Sequence, residues 1–106
     1  MDSIREREEY LTYQDRLRIK FLVERGKVIR IDLVQYEARV QGQWWPVVRY
    51  DMAHGYLHQD VMRPDGTVAE KQAIPYRELG AALTGALDEL HRQWAFYRRQ
   101  FEEWMK

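Results

Sequence analysis

Apolar and polar positions alternate over most of the first two thirds of the chain. Leu17, Ile19, Phe21 and Val23 are interleaved with Arg18, Lys20 and Glu24, the period of a half-buried strand. Arg25-Gly26-Lys27 reads as a turn, after which Ile29, Ile31 and Leu33 alternate with Arg30 and Asp32. The apolar set then shifts to Val34, Tyr36, Ala38 and Val40, which calls for a β-bulge at Leu33-Val34 or for cover on both faces from there. Gln41-Gly42 fits a two-residue hairpin loop. Setting Val40 opposite Gln43 pairs Arg39 with Trp44, Tyr36 with Val47 and Val34 with Arg49. Trp44-Trp45 places one indole on each face, and Pro46, with no N–H to donate, marks a local edge. A strand over Leu57 to Met62, a turn at Arg63-Pro64-Asp65-Gly66 and a weaker edge strand from Thr67 to Ile74 complete the pattern. The expectation is an antiparallel meander of four or five strands.

Helical spacing replaces alternation at the end of the chain. Pro75 suits a first helical turn. From there to Met105, Tyr76, Leu79, Leu83, Leu87, Leu90, Trp94, Tyr97, Phe101 and Trp104 recur at intervals of three and four. Gly80, Ala81, Ala82, Gly85 and Ala86 lie beside the first half of that stripe. Since glycine inside a helix costs about 1 kcal/mol relative to alanine, Gly80 and Gly85 suggest close approach to the sheet. A helix of about 30 residues is about 45 Å long, whereas four or five strands span only about 20–25 Å. The aromatic end therefore overhangs the sheet, and a short N-terminal helix with a symmetric dimer contact is expected to cover it. Ser3 and Glu6 have capping-box spacing for that N-terminal helix, with Ile4 and Leu11 on one stripe. The fold class is thus α+β: the meander packed against a long C-terminal amphipathic helix, with a short helix at the start.

Composition narrows what such a domain can do. A chain of 106 residues with 45% hydrophobic residues makes one domain, residues 1–106, with a real core. The formal net charge is zero, so no global field steers it to nucleic acid or an anionic membrane. Thirteen arginines against four lysines suit bidentate contacts to carboxylate or phosphate. The absence of cysteine removes disulfides, a thiolate nucleophile and Cys-ligated zinc. No stretch resembles a signal peptide or reaches the roughly 20 apolar residues of a membrane span. A soluble, cytoplasmic protein with no membrane partner is expected.

Chemistry-bearing side chains concentrate in one stretch, Val47 to Asp60. It breaks as a strand at Ala53-His54-Gly55 and holds Arg49, Tyr50, Asp51, His54, His58 and Asp60. His58 and Asp60, two apart, share one face of an extended chain. Four readings follow. His54, His58 and Asp60 supply two nitrogens and an oxygen for a divalent metal, with Asp51 as a further ligand, although no cofactor is required. Alternatively, His54 and His58 act as base and acid on a phosphodiester, with Arg49 meeting the phosphate and Asp51 or Asp60 orienting an imidazole. In the structural reading, Asp51 and His54 cap the turn, Gly55 frees the backbone and Arg49 pairs with Asp51 or Asp60. The fourth is a groove for a partner protein. The helix aromatics with Arg92, Arg98 and Arg99 would also suit single-stranded nucleic acid, but their regular interval places them in the core or at a dimer seam.

The run Arg49-Tyr50-Asp51-x-Ala53-His54, followed by His58-x-Asp60, resembles a group of small uncharacterised prokaryotic α+β proteins. More distantly it is similar to the TumE-type toxins of toxin–antitoxin pairs, over roughly Val34 to Leu90. Those carry an Arg-Tyr-Asp-Asn-Ala-Pro-His kind of stretch after a strand, then a histidine-rich segment and a C-terminal helix. This chain has Met52 where asparagine is expected, no proline before His54 and fewer histidines downstream. The resemblance implies a toxin-like protein acting on or binding RNA, with an antitoxin-like protein partner. The other class of function is a non-enzymatic protein–protein interaction module in which the His/Asp cluster is structural.

Overall fold

A computed structural model describes residues 2–106. Six strands form one antiparallel sheet in sequence order: β1 (Asp2–Thr12), β2 (Asp15–Glu24), β3 (Lys27–Val40), β4 (Gln43–Asp51), β5 (His58–Met62) and β6 (Val68–Ala73). One helix, α1 (Leu79–Trp104), follows. The fold is the expected α+β meander with six strands rather than four or five, and the N-terminal helix is replaced by β1.

The segment read as that helix pairs along β2 from Asp2↔Glu24 to Thr12↔Asp15. Its capping-box spacing is therefore incidental. Ile4 and Leu11 are too few to hold a helix against the sheet, whereas the free edge of β2 offers a ladder of backbone partners. β1 buries little, and Ile4 is 57% exposed.

The β2–β3 and β3–β4 hairpins follow the sequence reading. Arg25 and Gly26 have φ of 53° and 77°, and Gln41 and Gly42 have φ of 55° and 77°. Two consecutive positive φ values are what a two-residue loop matched to strand twist requires. The pairs Val40↔Gln43 and Arg39↔Trp44 stand as expected. Beyond them the register moves by one: Tyr36 faces Val48 and Val34 faces Tyr50, with a shift between Tyr36 and Glu37. The cause is facial consistency. Val34 opposite Arg49 would put a guanidinium on the core side, so β4 bulges after Pro46 and Arg49 faces Gln35 instead. The bulge expected at Leu33-Val34 occurs just before, where Lys20↔Leu33 is followed by Phe21↔Ile31 and Asp32 is the extra residue. Pro46 lies past the end of β5, whose pairing with β4 begins at Val48, so it does sit at a local edge.

The core lies between α1 and one face of the sheet, with Leu17, Ile19, Val34, Tyr36, Val48, Leu83, Leu90 and Phe101 all buried. The helix runs along the strands. Tyr76 to Gly80 border the same depression as Gly26 to Val28 at the start of β3. At the other end Arg98 Nη2 donates to the Arg39 carbonyl (2.8 Å), and the Phe101 and Trp45 rings are 6.1 Å apart. The 26 residues of α1 span about 39 Å, within the about 46 Å that the 14 residues of β3 can reach. The expected overhang, reckoned across the strands, is therefore absent. Trp94 packs on Tyr36 and Phe101 is 1% exposed against the protein's own sheet, which removes the length argument for a dimer contact. Phe96 and Trp104 are the large apolar side chains of α1 left exposed among the described residues.

Arg98 fastens that end of the helix. Its Nη1 donates to Asp15 Oδ1 (2.7 Å) and to the Gln14 carbonyl (3.1 Å), and its Nε donates to Glu102 (3.0 Å). Asp15 also accepts from the Tyr36 and Thr12 hydroxyls (2.5 Å each). Burial, then the bond to the Asp15 carboxylate, pushes the Tyr36 phenol well up.

Candidate functional site

Strand alternation divides the predicted residues between the two faces of the sheet. The register pairs Arg49 with Asp60 and Asp51 with His58, all on the face away from α1. Tyr50 pairs with Gln59 on the helix side. On the face away from α1 a line of side chains crosses every strand: Glu8, Arg18, Gln35, Arg49, Asp60 and Lys71 are successive cross-strand partners. Arg49 Nε donates to Gln35 Oε1 (2.7 Å), and Gln35 Nε2 donates to Glu37 Oε2 (2.5 Å). Arg16 donates to Glu37 Oε1 (2.7 Å) and lies 4.0 Å over the Trp44 ring. Acids and bases are mixed on this face, with Glu37 beside both Arg16 and Arg18 and Asp60 beside Lys71.

His58 is the centre of the cluster and is only 1% exposed. Its Nε2 lies 3.2 Å from Asp51 Oδ1 and 3.5 Å from Asp60 Oδ2. Its Nδ1 faces the Tyr56 carbonyl at 3.3 Å. Both ring nitrogens thus face acceptors; a neutral imidazole donates only one such bond, a protonated ring both. The loop between β4 and β5 folds over the ring, with His54 and Tyr56 each at 5.3 Å between ring centroids. Asp51 Oδ1 accepts from the Ala53 amide (3.0 Å), and Gly55, at φ 85°, closes the turn by donating to the Met52 carbonyl (3.0 Å). Asp60 Oδ1 is buried without a hydrogen-bond donor, and Lys71 Nζ lies 3.8 Å away.

The structure therefore brings Asp51, His58 and Asp60 together, sets Arg49 beside them bonded to Gln35, and leaves His54 exposed on the loop. The His54 and His58 rings lie 5.3 Å apart between centroids, and no three His or acidic side chains among the described residues are grouped as an ion would need.

A second group of polar side chains lies on the helix side and was not anticipated. Gln59 Nε2 donates to the Tyr50 hydroxyl (2.9 Å) and the Tyr97 hydroxyl (3.3 Å), and Tyr97 donates to Glu89 Oε1 (2.9 Å). Burial and the bond to Glu89 push the Tyr97 phenol up to about 12; burial, with Tyr97 and Glu89 nearby, also raises Tyr50. This chain borders a cleft of about 450 Å³ between α1 and the β5–β6 hairpin. Its only sequence signal is the run of small residues at Gly80 to Ala86, which reads as packing. The structure corrects that reading, since a Cβ built on Gly80 or Gly85 would meet nothing within 4 Å.

Fold and site together define a single-helix antiparallel α+β domain with a buried His/Asp cluster on one face and a polar cleft on the other. A family model described as "Domain of unknown function (DUF7718)" matches residues 3–106, and the chain belongs to that family. No curated protein and no solved structure matches it.

Proposed function

We propose that this chain is a non-enzymatic protein–protein interaction module in which Asp51, His58 and Asp60 hold the β4–β5 junction together. The observation that carries this reading is the burial of His58 with acceptors at both ring nitrogens. A general acid or base must come within hydrogen-bond reach of the proton it moves, and this imidazole presents no free nitrogen to a substrate. Arg49, the residue foreseen for a phosphate, gives its Nε to Gln35. The mixture of acids and bases on the face away from α1 also differs from the one-sided basic stripe that RNA binding draws on. What the fold leaves available is a sheet edge and a cleft, which are features that proteins use to bind peptides.

The opposing reading is a toxin-like protein acting on RNA through His54, His58 and Arg49. It is tested by expressing wild type, His54→Ala and His58→Ala in a bacterial host and incubating each purified protein with single-stranded RNA. The module predicts no growth arrest and no cleavage by any of the three. Cleavage by wild type that disappears in His54→Ala, with unchanged melting temperature, overturns the module in favour of the toxin.

A further inference from the structure

We infer that the cleft between α1 and β5–β6 receives a basic side chain from an extended segment of a partner protein that adds as a strand to the free edge of β6. The inference rests on the interaction-module reading and names its surface and partner chemistry.

Three observations converge on it. First, α1 lies over β3 and β4, β5 is buried while β6 is largely exposed, and β6 has a neighbour only at β5. One side of β6 therefore carries unpaired backbone groups, the template that strand-adding peptides use. Second, the one charged side chain lining the cleft is an acid. Glu89 lines it beside the Tyr97 hydroxyl, and Glu70 is close enough to help raise that phenol. Arg92 Nη2, at 3.7 Å from Glu89, is the cation in reach, and it lies on the exposed flank of the helix. Third, Gly85 borders the cleft from mid-helix. It has no positive φ, and an added Cβ would touch nothing. A glycine at this position leaves the cleft wider than any larger residue would.

The register specifies the partner further. Glu70 and Gln72 are cross-strand partners of Val61 and Gln59, on the α1 side, whereas Lys71 faces Asp60 on the other side. A strand laid on β6 projects alternate residues to each side. Its α1-side residues meet Glu70, Gln72 and Glu89 and would be lysine or arginine; those beside Lys71 would be neutral or acidic.

The probe is a blocked heptapeptide alternating threonine and lysine, with a threonine–glutamate peptide as control, titrated into the ¹⁵N-labelled full chain. The lysine peptide is expected to shift the amides of residues 68–73 and Gly85, and the glutamate peptide to leave them unchanged. Gly85→Leu fills the cleft at a helix-compatible position. It is expected to weaken the lysine peptide about tenfold or more with no loss of melting temperature; Glu89→Gln weakens it without affecting the control. Undiminished binding to Gly85→Leu, shifts confined to β1, or no binding at millimolar peptide each overturn the cleft assignment. Those results leave the interaction module to another surface, whereas RNA cleavage would remove the module itself.

Discussion

A histidine set between two carboxylates under a loop is placed to stabilise, and its removal has a definite cost. Deleting the His58 ring leaves Asp51 and Asp60 facing each other across a small cavity, one of them with an oxygen already lacking a donor. Breaking such a cluster by removing one partner leaves buried charge uncompensated. His58→Ala is therefore expected to lose about 2–4 kcal/mol in urea unfolding at neutral pH. Adding Asp51→Asn and Asp60→Asn to that variant should recover part of the loss, because the uncompensated charges go. His58→Ala with wild-type stability would sink the clasp and reopen the chemical readings. His54→Ala removes only an exposed ring and should stay within about 0.5 kcal/mol of wild type.

Glycines separate along the elements by what their backbone requires. Gly42, at φ 77° in the β3–β4 hairpin, cannot take a side chain without strain, and Gly42→Ala is expected to cost about 1 kcal/mol or more. Gly85 is helical with open space beyond it, so Gly85→Ala should gain about 0.5–1 kcal/mol. Thermal or chemical unfolding of the two variants should shift in opposite directions; a loss at Gly85 would show that the helix does pack there. The contrast also shows what was legible in the chain. Loops written in two residues, at Arg25-Gly26 and Gln41-Gly42, follow from local φ requirements and could be read directly. The weak edge strand before Ile74 could be read from how little it had to bury. β1 could not, because an edge strand of alternating charges has neither apolar period and exists through the ladder that β2 offers. The register beyond Pro46 depended on a bulge that only the conflict between Val34 and Arg49 signals. Near the site, the proximity of His58 and Asp60 followed from strand period, but burial of the ring depended on how the loop over it closes. The cleft was least visible: Gln59, Glu89 and Tyr97 are scattered over about two turns of helix and a distant strand.

At the scale of the molecule, two buried phenols, Tyr36 and Tyr50, and the half-buried phenol of Tyr97 lie where the helix meets the sheet, and this sets an alkaline limit to stability. Tyr36 is raised by burial and by its bond to Asp15, Tyr50 by burial, and Tyr97 by burial and its bond to Glu89, the last to about 12. An unfolded tyrosine ionises near 10. A group whose folded value lies above its unfolded one contributes stability that is complete below the unfolded value and is lost as pH rises through the folded one. Unfolding free energy should therefore hold up to about pH 10 and fall steadily between about 10 and 12. Tyrosinate absorbance and far-ultraviolet circular dichroism, followed together, should show the late-ionising phenols appearing with loss of the sheet. Tyr97→Phe removes one such group, and its stability should decline less steeply over that interval than that of wild type. An equal slope would mean that Tyr97 is reached by solvent in the folded protein, so that the chain from Tyr50 through Gln59 to Glu89 is open to water along the cleft rather than sealed beneath α1.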